Sequence, residues 1–177
     1  MTFIGKNLPT SDNNISNKQQ KYIQNAFIQS LPENSYEHMD FNHGCVAVMS
    51  GKIIAEGRNS SRTCSKDGFI FGCSCHAEIA TLRNIHKMYS KQNNLRKMRI
   101  IYSRITLYIV RYNKDHFYAN SAPCVLCTKK IKELGVKKLV YCNQNHCFNI
   151  TKTKDYFTDH YSGCCKRFMN INSNNSK

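Results

Sequence analysis

The residues of this chain that could do chemistry lie in two short stretches, each at the start of a predicted helix. His76 and Glu78 stand two positions apart in SCHAEIATL, where a helical apolar pattern begins, and Cys124 and Cys127 stand three apart in SAPCVLC. Two thiolates at that spacing can point at one ion from a first helical turn, whose free amide groups and positive dipole end favour ionised sulfur. The two stretches therefore predict a metal site.

Zinc is the ion that this set of side chains favours. His76, Cys124 and Cys127 supply three protein ligands and leave a fourth position for water, which is the arrangement of a catalytic zinc site. A carboxylate beside such a water can take its proton and deliver it to a substrate or a leaving group, so Glu78 is the predicted catalytic residue. Taken alone, a Cys-x-x-Cys pair is more often structural zinc or a redox pair.

The elements that must position these residues follow from the apolar spacing. The stretch SNKQQKYIQNAFIQSLPE carries its apolar residues on one helical face, with Ser16 or Asn17 as candidate caps. HGCVAVMSGKIIAEGRN predicts a β-hairpin that turns at SGK, and ITLYIVRYN predicts a central strand covered on both faces. PCVLCTKKIKELG predicts a helix with Pro123 in its first turn and Gly135 at its end, and VKKLVYC predicts another strand.

This order of elements predicts one α/β domain, a three-layer α/β/α sandwich with helices on both faces of a central mixed sheet. The chain has 177 residues, 41% of them hydrophobic, which suffices for one core. We place a disordered N-terminal arm at residues 1–17, the folded domain at residues 18–168 and a disordered tail at residues 169–177.

Composition limits the partners and the compartment. The formal charge of +15 attracts polyanions or phosphorylated small molecules without choosing between them. No apolar run approaches the roughly 20 residues of a membrane span, and the polar start lacks a signal segment. We therefore expect a soluble, intracellular, cytoplasmic protein with no membrane partner, whose ten cysteines stay free or bind metal.

Together, the two stretches resemble the zinc-dependent cytidine/deoxycytidylate deaminase superfamily, whose signature is H-x-E followed by P-C-x-x-C. The matching residues are His76, Ala77 and Glu78 in the first stretch, and Pro123 to Cys127 in the second. The resemblance implies a sandwich of the cytidine deaminase type, one catalytic zinc ion, and hydrolytic deamination that releases ammonia.

The same resemblance implies further substrate contacts. The predicted hairpin ends in Asn59, whose counterpart in relatives contacts the sugar or the base of the substrate. The backbone amide of Ala77 and the backbone carbonyl of Ala122 correspond to groups that help to orient the base. A homo-oligomer is also implied, to which the aromatic residues near the end of the chain could contribute, although they could equally cap the domain: Tyr156, Phe157, Tyr161 and Phe168.

The residues at three positions of this chain limit the range of substrates that the resemblance implies. Histidine as the first ligand favours the deoxycytidylate, tRNA-editing and guanine branches, whereas Ala122 departs from the glutamate of the adenosine and guanine branches. Ala80 departs from the asparagine that is common in deoxycytidylate deaminases. Our hypothesis is deamination of a cytosine nucleotide, dCMP by preference, in pyrimidine salvage.

Two alternative functions stay open, and so does a second metal ion. A nucleic-acid editing deaminase acting on tRNA or single-stranded DNA is suggested by the basic stretch at residues 86–104, which either extends the second helix or forms a loop. A non-catalytic partner subunit with this fold is the other alternative. The spare cysteines are free thiols by default, although a second, structural zinc could use one of two sets: Cys64, Cys73 and Cys75, or Cys142, His146 and Cys147.

Overall fold

The structure is a computed structural model that describes residues 15–32, 41–70, 72–90, 95–113 and 118–169. These residues form five α-helices and five strands, and a short 3₁₀ turn at Thr153–Asp155 follows the last strand. The helices are α1 (Asn17–Ser30), α2 (Ala77–Tyr89), α3 (Leu95–Tyr102), α4 (Val125–Leu134) and α5 (Gly163–Phe168). The strands are β1 (Asn42–Met49), β2 (Lys52–Arg58), β3 (Thr106–Tyr112), β4 (Lys138–Cys142) and β5 (Phe148–Lys152).

The strands form one mixed sheet in the order β2-β1-β3-β4-β5, which places β3 at the centre, as predicted. β3 and β4 pair in parallel, and the other neighbouring strands pair antiparallel. A parallel pair needs a crossover connection, which α4 supplies between β3 and β4. The predicted α/β sandwich of the cytidine deaminase type is confirmed.

Side chains alternate between two hydrophobic layers because successive residues of a strand point to opposite faces. One face of the sheet packs under α2 and α4, and the other packs under α1. The first layer contains Cys45, Ala47, Leu107, Ile109 and Leu139 from the strands, with Leu82 and Ile131 from the helices. The second contains Val46, Val48, Tyr108, Val110 and Val140, with Tyr22 and Ile23 from α1.

Local signals in the sequence fix several boundaries. Ser16 caps α1 and forms a capping box with Gln19, as one of the two predicted caps. The hairpin turns at Ser50 and Gly51, whose φ angles of 51° and 79° are those of a two-residue type I′ connection. Gly135 ends α4 in the left-handed conformation with φ 78°.

One local prediction is wrong, and two elements were not predicted. α4 begins at Val125 with Cys124 as its N-cap, so Pro123 precedes the helix instead of lying in its first turn. The basic stretch at residues 86–104 contains the end of α2 and, at Leu95–Tyr102, a separate helix, α3. β5 was not foreseen, since only Phe148 of this strand is buried and its polar positions hide the alternation.

The predicted chain ends fall mostly outside the described residues. Residues 1–14 and 170–177 are not described, and Ile15 is buried in the layer under α1. Near the end of the chain, Tyr156 is buried and Phe157 is 85% exposed, so the first caps the domain and the second does not. Within the described residues, every helix is too short or too polar to cross a membrane.

Candidate active site

The two helices that carry the predicted chemistry begin close to each other. His76 is the N-cap of α2 and Cys124 is the N-cap of α4, and neither side chain is used in a capping hydrogen bond. The start of α2 is fixed by Thr81, whose buried hydroxyl contacts the carbonyl oxygens of Cys45 at 3.1 Å and Ala77 at 2.8 Å. Both imidazole and thiol are thus free to face a ligand between the helix ends.

The three predicted metal ligands come together in this place. The Nδ1 atom of His76 lies 3.5 Å from Sγ of Cys124 and 3.2 Å from Sγ of Cys127. Tetrahedral zinc with bonds of about 2.0 to 2.3 Å would separate a nitrogen and a sulfur ligand by about 3.6 Å. Within the described residues, this is the one group of three or more histidine, cysteine or acidic side chains placed to hold a metal ion.

The charge state of the Cys124 thiol also suits a metal ion, whereas the hydrogen bond to Cys124 and burial raise the pKa of Cys127. A hydrogen bond from Cys127 and the adjacent His76 together outweigh burial and lower the pKa of Cys124 from 9.0 to about 4. A thiolate therefore forms at neutral pH even before a cation is present, and thiolates are the form in which cysteine binds zinc. Two sulfur atoms and one imidazole nitrogen match the donor set of a catalytic zinc site.

Glu78 lies in the first turn of α2, next to this group. Its side chain is buried, with the residue only 4% exposed, and the Cys127 thiol hydrogen-bonds to it. Burial raises the pKa of Glu78 above its usual value, while the nearby His76 opposes that shift. A pKa shifted in this direction favours the protonated carboxyl group, which suits a residue that carries a proton.

The segment that carries the two cysteines is held from both sides. The buried Ser121 hydroxyl donates to the carbonyl of Ile109 at 2.7 Å and accepts from the amide of Cys142 at 2.9 Å, so it joins β3 to β4. The Tyr156 hydroxyl donates to the carbonyl of Pro123 at 2.8 Å. These hydrogen bonds fix the backbone just before Cys124.

With the fold and this geometry established, comparison with known proteins identifies the family. The family model described as "Cytidine and deoxycytidylate deaminase zinc-binding region" matches residues 16–143, well over half of the 177 residues. The chain belongs to this deaminase family. A catalytic zinc ion follows from the family's zinc-binding region together with the placement of His76, Cys124 and Cys127.

A solved deaminase structure with a TM-score above 0.5 shares the fold. Cytidine deaminase from Burkholderia pseudomallei is 19% identical, with 80% of this chain and 98% of that chain covered and a TM-score of 0.54. The dCMP deaminase from cyanophage S-TIM5, in complex with dCMP and dUMP, is 24% identical over 68% of this chain and 77% of that chain, with a TM-score of 0.45. No curated protein sequence matches.

Three further residues were predicted to contact the substrate. Asn59 is buried, and its side chain accepts from the amide of His43 at 2.7 Å and donates to the carbonyl of Phe41 at 2.6 Å. Both polar atoms of Asn59 thus anchor the start of β1, and its substrate contact stays a prediction. The same holds for Ala77, the buried first residue of α2, and for Ala122, two positions before Cys124.

Two polar residues that the sequence reasoning did not single out lie on the same face of the sheet as this group of ligands. His43 and Arg111 are paired across β1 and β3, on the face of the sheet that packs under α2 and α4. The available signal was a charged residue at position 111, in register with Leu107 and Ile109 within an apolar strand. It could be interpreted only once the strand pairing was known.

The spare cysteines do not form a second cluster of metal ligands within the described residues. Cys73 lies 3.7 Å from Cys165 of α5, measured between the sulfur atoms, and Cys64 is exposed. A cleft of about 210 Å³ runs beside the deaminase signature, lined by groups that include Cys165, Cys127 and His76.

Proposed function

We propose that this chain hydrolytically deaminates a cytosine nucleotide, dCMP by preference, and releases ammonia and the uracil nucleotide. The family supports a zinc-dependent hydrolytic deaminase. We infer the cytosine base and the phosphate from the histidine ligand and from the absence of glutamate before Pro123. Pyrimidine salvage is the corresponding metabolic role.

The observation that carries the proposal is the buried carboxyl of Glu78 beside the group of His76, Cys124 and Cys127. Zinc bound there would supply a water of lowered pKa and hence a nucleophile near neutral pH. Glu78 is placed to take a proton and pass it to a ring nitrogen and then to the departing amine. Its burial keeps bulk water from this transfer.

The other residues of the site position the base. The amide of Ala77 and the carbonyl of Ala122 belong to rigid backbone at the starts of α2 and α4, so they could orient a planar ring by hydrogen bonds. The side chain of Asn59 fixes the first residues of β1, and the edge of its amide group would contact the sugar of the substrate. Each of these roles is part of the proposal.

The experiment is a parallel measurement of ammonia release from zinc-loaded protein with cytidine, deoxycytidine, dCMP, dCTP, guanine and a short RNA. We expect dCMP to give the highest kcat/KM. Turnover confined to guanine or RNA would contradict the cytosine nucleotide assignment, and absence of any turnover would contradict the enzymatic function and leave the partner-subunit alternative.

A matched pair of variants tests the role of Glu78. Glu78→Gln should lower kcat for dCMP by about 10²- to 10⁴-fold, the range that proton transfer contributes, with zinc content unchanged. Glu56→Gln is the control, because Glu56 is exposed and accepts a hydrogen bond from Gln29 of α1, on the face of the sheet opposite the site. A Glu78→Gln enzyme with full activity would remove Glu78 from the mechanism.

A nucleic-acid deaminase is the second candidate, favoured by the surface of α3. This helix exposes Arg96, Lys97 and Arg99, and the whole chain carries a charge of +15. Binding of single-stranded RNA or DNA would weaken steeply with salt, because cations on the protein displace counterions from phosphates. Failure to bind single strands at low salt would exclude this candidate.

The homo-oligomer stays a proposal as well. Phe157 is 85% exposed, and Ile150 of β5 is 39% exposed, so the end of the domain presents apolar side chains to solvent. We expect light scattering to give a mass above that of the 20.5 kDa chain. Phe157→Ser should shift that mass towards the monomer if this surface is the interface.

A further inference from the structure

His43 and Arg111 form a cross-strand pair that the proposed chemistry does not yet use. They are direct partners in the antiparallel register of β1 and β3. Residues two apart on a strand share a face, so His43 lies with Cys45 and Arg111 with Ile109, both in the layer that also contains Ala77 and the cysteine ligands. The pair therefore faces the same side of the sheet as the metal-ligand group.

The pair also lies at the same end of the sheet as the site. Asn59, a predicted substrate contact, binds the backbone amide of His43 and the backbone carbonyl of Phe41. His43 lies close enough to His76 for a charge on His76 to affect its pKa. A substrate seated at the metal-ligand group and extending past Asn59 would thus reach His43 and Arg111.

Arg111 is the cation of this pair. Burial of the imidazole and the charge of Arg111 lower the pKa of His43 from 6.5 to about 3, so His43 is neutral at physiological pH. The guanidinium is half-buried under the ring of Phe41, with Cζ 4.3 Å from the ring centroid. Phe41 itself is 58% exposed, so this arginine lies just inside the rim of the site.

The guanidinium has unused hydrogen-bonding capacity. The Nε atom of Arg111 is buried, and no described residue accepts a hydrogen bond from it. An unsatisfied buried donor is costly, and a charged one more so, unless a ligand supplies the acceptor. The planar fork of donors on a guanidinium matches the oxygen atoms of a phosphate group.

We propose that Arg111 binds the terminal phosphate of a free nucleotide substrate, with His43 and the Phe41 ring fixing the direction of its guanidinium. The inference rests on the proposed function and specifies how that site distinguishes a nucleotide from a nucleoside. A terminal phosphate monoester is preferred over the diester of a polynucleotide, because its second negative charge compensates better for a partly buried cation.

The first test compares kcat/KM for dCMP and deoxycytidine in the wild type, Arg111→Gln and Arg111→Lys. We expect Arg111→Gln to lose about 10- to 100-fold on dCMP, as removal of a charged hydrogen bond does, and less than about threefold on deoxycytidine. Arg111→Lys keeps the charge but lacks the fork of donors. Its kcat/KM for dCMP should therefore lie between the values of the wild type and of Arg111→Gln. Arg99→Gln removes the same charge from the exposed face of α3. It should leave kcat/KM unchanged for both dCMP and deoxycytidine.

Equal losses on the nucleotide and the nucleoside would overturn the inference while leaving deamination intact. The inference would also be overturned if Arg111→Gln lost activity on a cytosine-containing oligonucleotide and not on dCMP. If Arg111→Gln does not fold, as thermal unfolding would reveal, Arg111→Lys decides by the same comparison.

A binding measurement separates this inference from the proposed function. Calorimetry on zinc-loaded Glu78→Gln protein would compare dUMP with deoxyuridine, which differ only in the phosphate. We expect tighter binding of dUMP, and loss of that difference when Arg111→Gln is added. This result would support the phosphate site even if no cytosine compound is turned over, whereas equal binding of the two compounds, or no binding of dUMP, would overturn it.

Discussion

At the scale of single residues, the spacing of a few side chains carries most of the chemistry. His76 and Glu78 lie two apart across a helix start, so the first faces the cysteines as N-cap while the second enters the first turn and is buried. The arrangement at α4 is similar, with Cys124 as the N-cap and Cys127 buried in the first turn. Burial raises the pKa of Glu78, whereas a hydrogen bond from Cys127 and the nearby His76 lower the pKa of Cys124.

His43 should make the folded state sensitive to acid. Its pKa is about 3 when folded and about 6.5 when unfolded, so the unfolded chain binds the extra proton as pH falls below about 6.5. The stabilising contribution is complete above pH 6.5 and is lost progressively towards pH 3. We expect His43→Gln to lose less unfolding free energy than the wild type between pH 7.5 and pH 5.5, measured by urea denaturation at the same zinc concentration.

His86→Gln is the control for that measurement, because His86 lies in the last turn of α2 and faces the ring of Phe69 instead of a cation. It should reproduce the wild-type loss between the two pH values. A His43→Gln protein with the wild-type pH dependence would show that another group dominates the acid response.

At the scale of elements, close packing of β2 against α2 positions the site. Gly57 makes this approach possible, since a Cβ atom there would lie 2.5 Å from Oγ1 and 2.6 Å from the backbone nitrogen of Thr81. Thr81 in turn binds the carbonyl of Cys45 in β1. The start of α2, with both His76 and Glu78, is therefore set by contacts with two strands.

Gly57→Ala should push α2 away from the sheet. Overpacking of this kind costs about 1 to 3 kcal/mol of unfolding free energy, and the backbone of Thr81 cannot yield as a flexible side chain would. We also expect weaker zinc binding, because His76 would move relative to the two cysteines. Urea denaturation and a competitive zinc titration would measure the two effects.

Gly163→Ala is the matched change, because no atom lies within 4 Å of the added Cβ and the residue begins α5. It should leave both stability and zinc affinity close to the wild type. If Gly57→Ala behaved like Gly163→Ala, the tight contact between β2 and α2 would not control the site.

At the scale of the whole molecule, one metal ion would connect parts of the chain that are far apart in sequence. His76 and Cys124 are 48 residues apart and belong to helices on either side of the β3 strand in sequence. The segment after β5 adds a second connection, since Tyr156 and His160 bind backbone atoms around Cys124. Folding and metal binding should therefore be coupled.

Zinc removal should lower the stability of the whole domain. At a free zinc concentration about 1,000 times the dissociation constant, binding to the native state contributes about 4 kcal/mol, which a chelator would take away. Thermal unfolding with zinc and with chelator would show the difference. Cys124→Ser should abolish most of it, and Cys64→Ser, which changes an exposed thiol, should retain it in full. Equal melting temperatures with and without zinc would contradict coupled folding.

The sequence by itself determined the features that depend on neighbours along the chain. The N-cap Ser16, the turn at Ser50 and Gly51, and the helix end at Gly135 are local signals that act through backbone conformation, and each was found where expected. The three metal ligands were also predictable, because their residue types and their positions at two predicted helix starts are local features of the sequence. β5 was missed because a strand with one buried residue gives no periodic signal.

Only the tertiary structure decided the features that depend on strand pairing and burial. The register of β1 against β3 places Arg111 opposite His43, and no property of either stretch alone fixes that register. The environment that alters the pKa of Glu78 and the hydrogen bonds that engage both ends of the Asn59 amide likewise come from distant segments. Local sequence sets backbone conformation and side-chain spacing, whereas desolvation and charge at a site are sums over everything that packs around it.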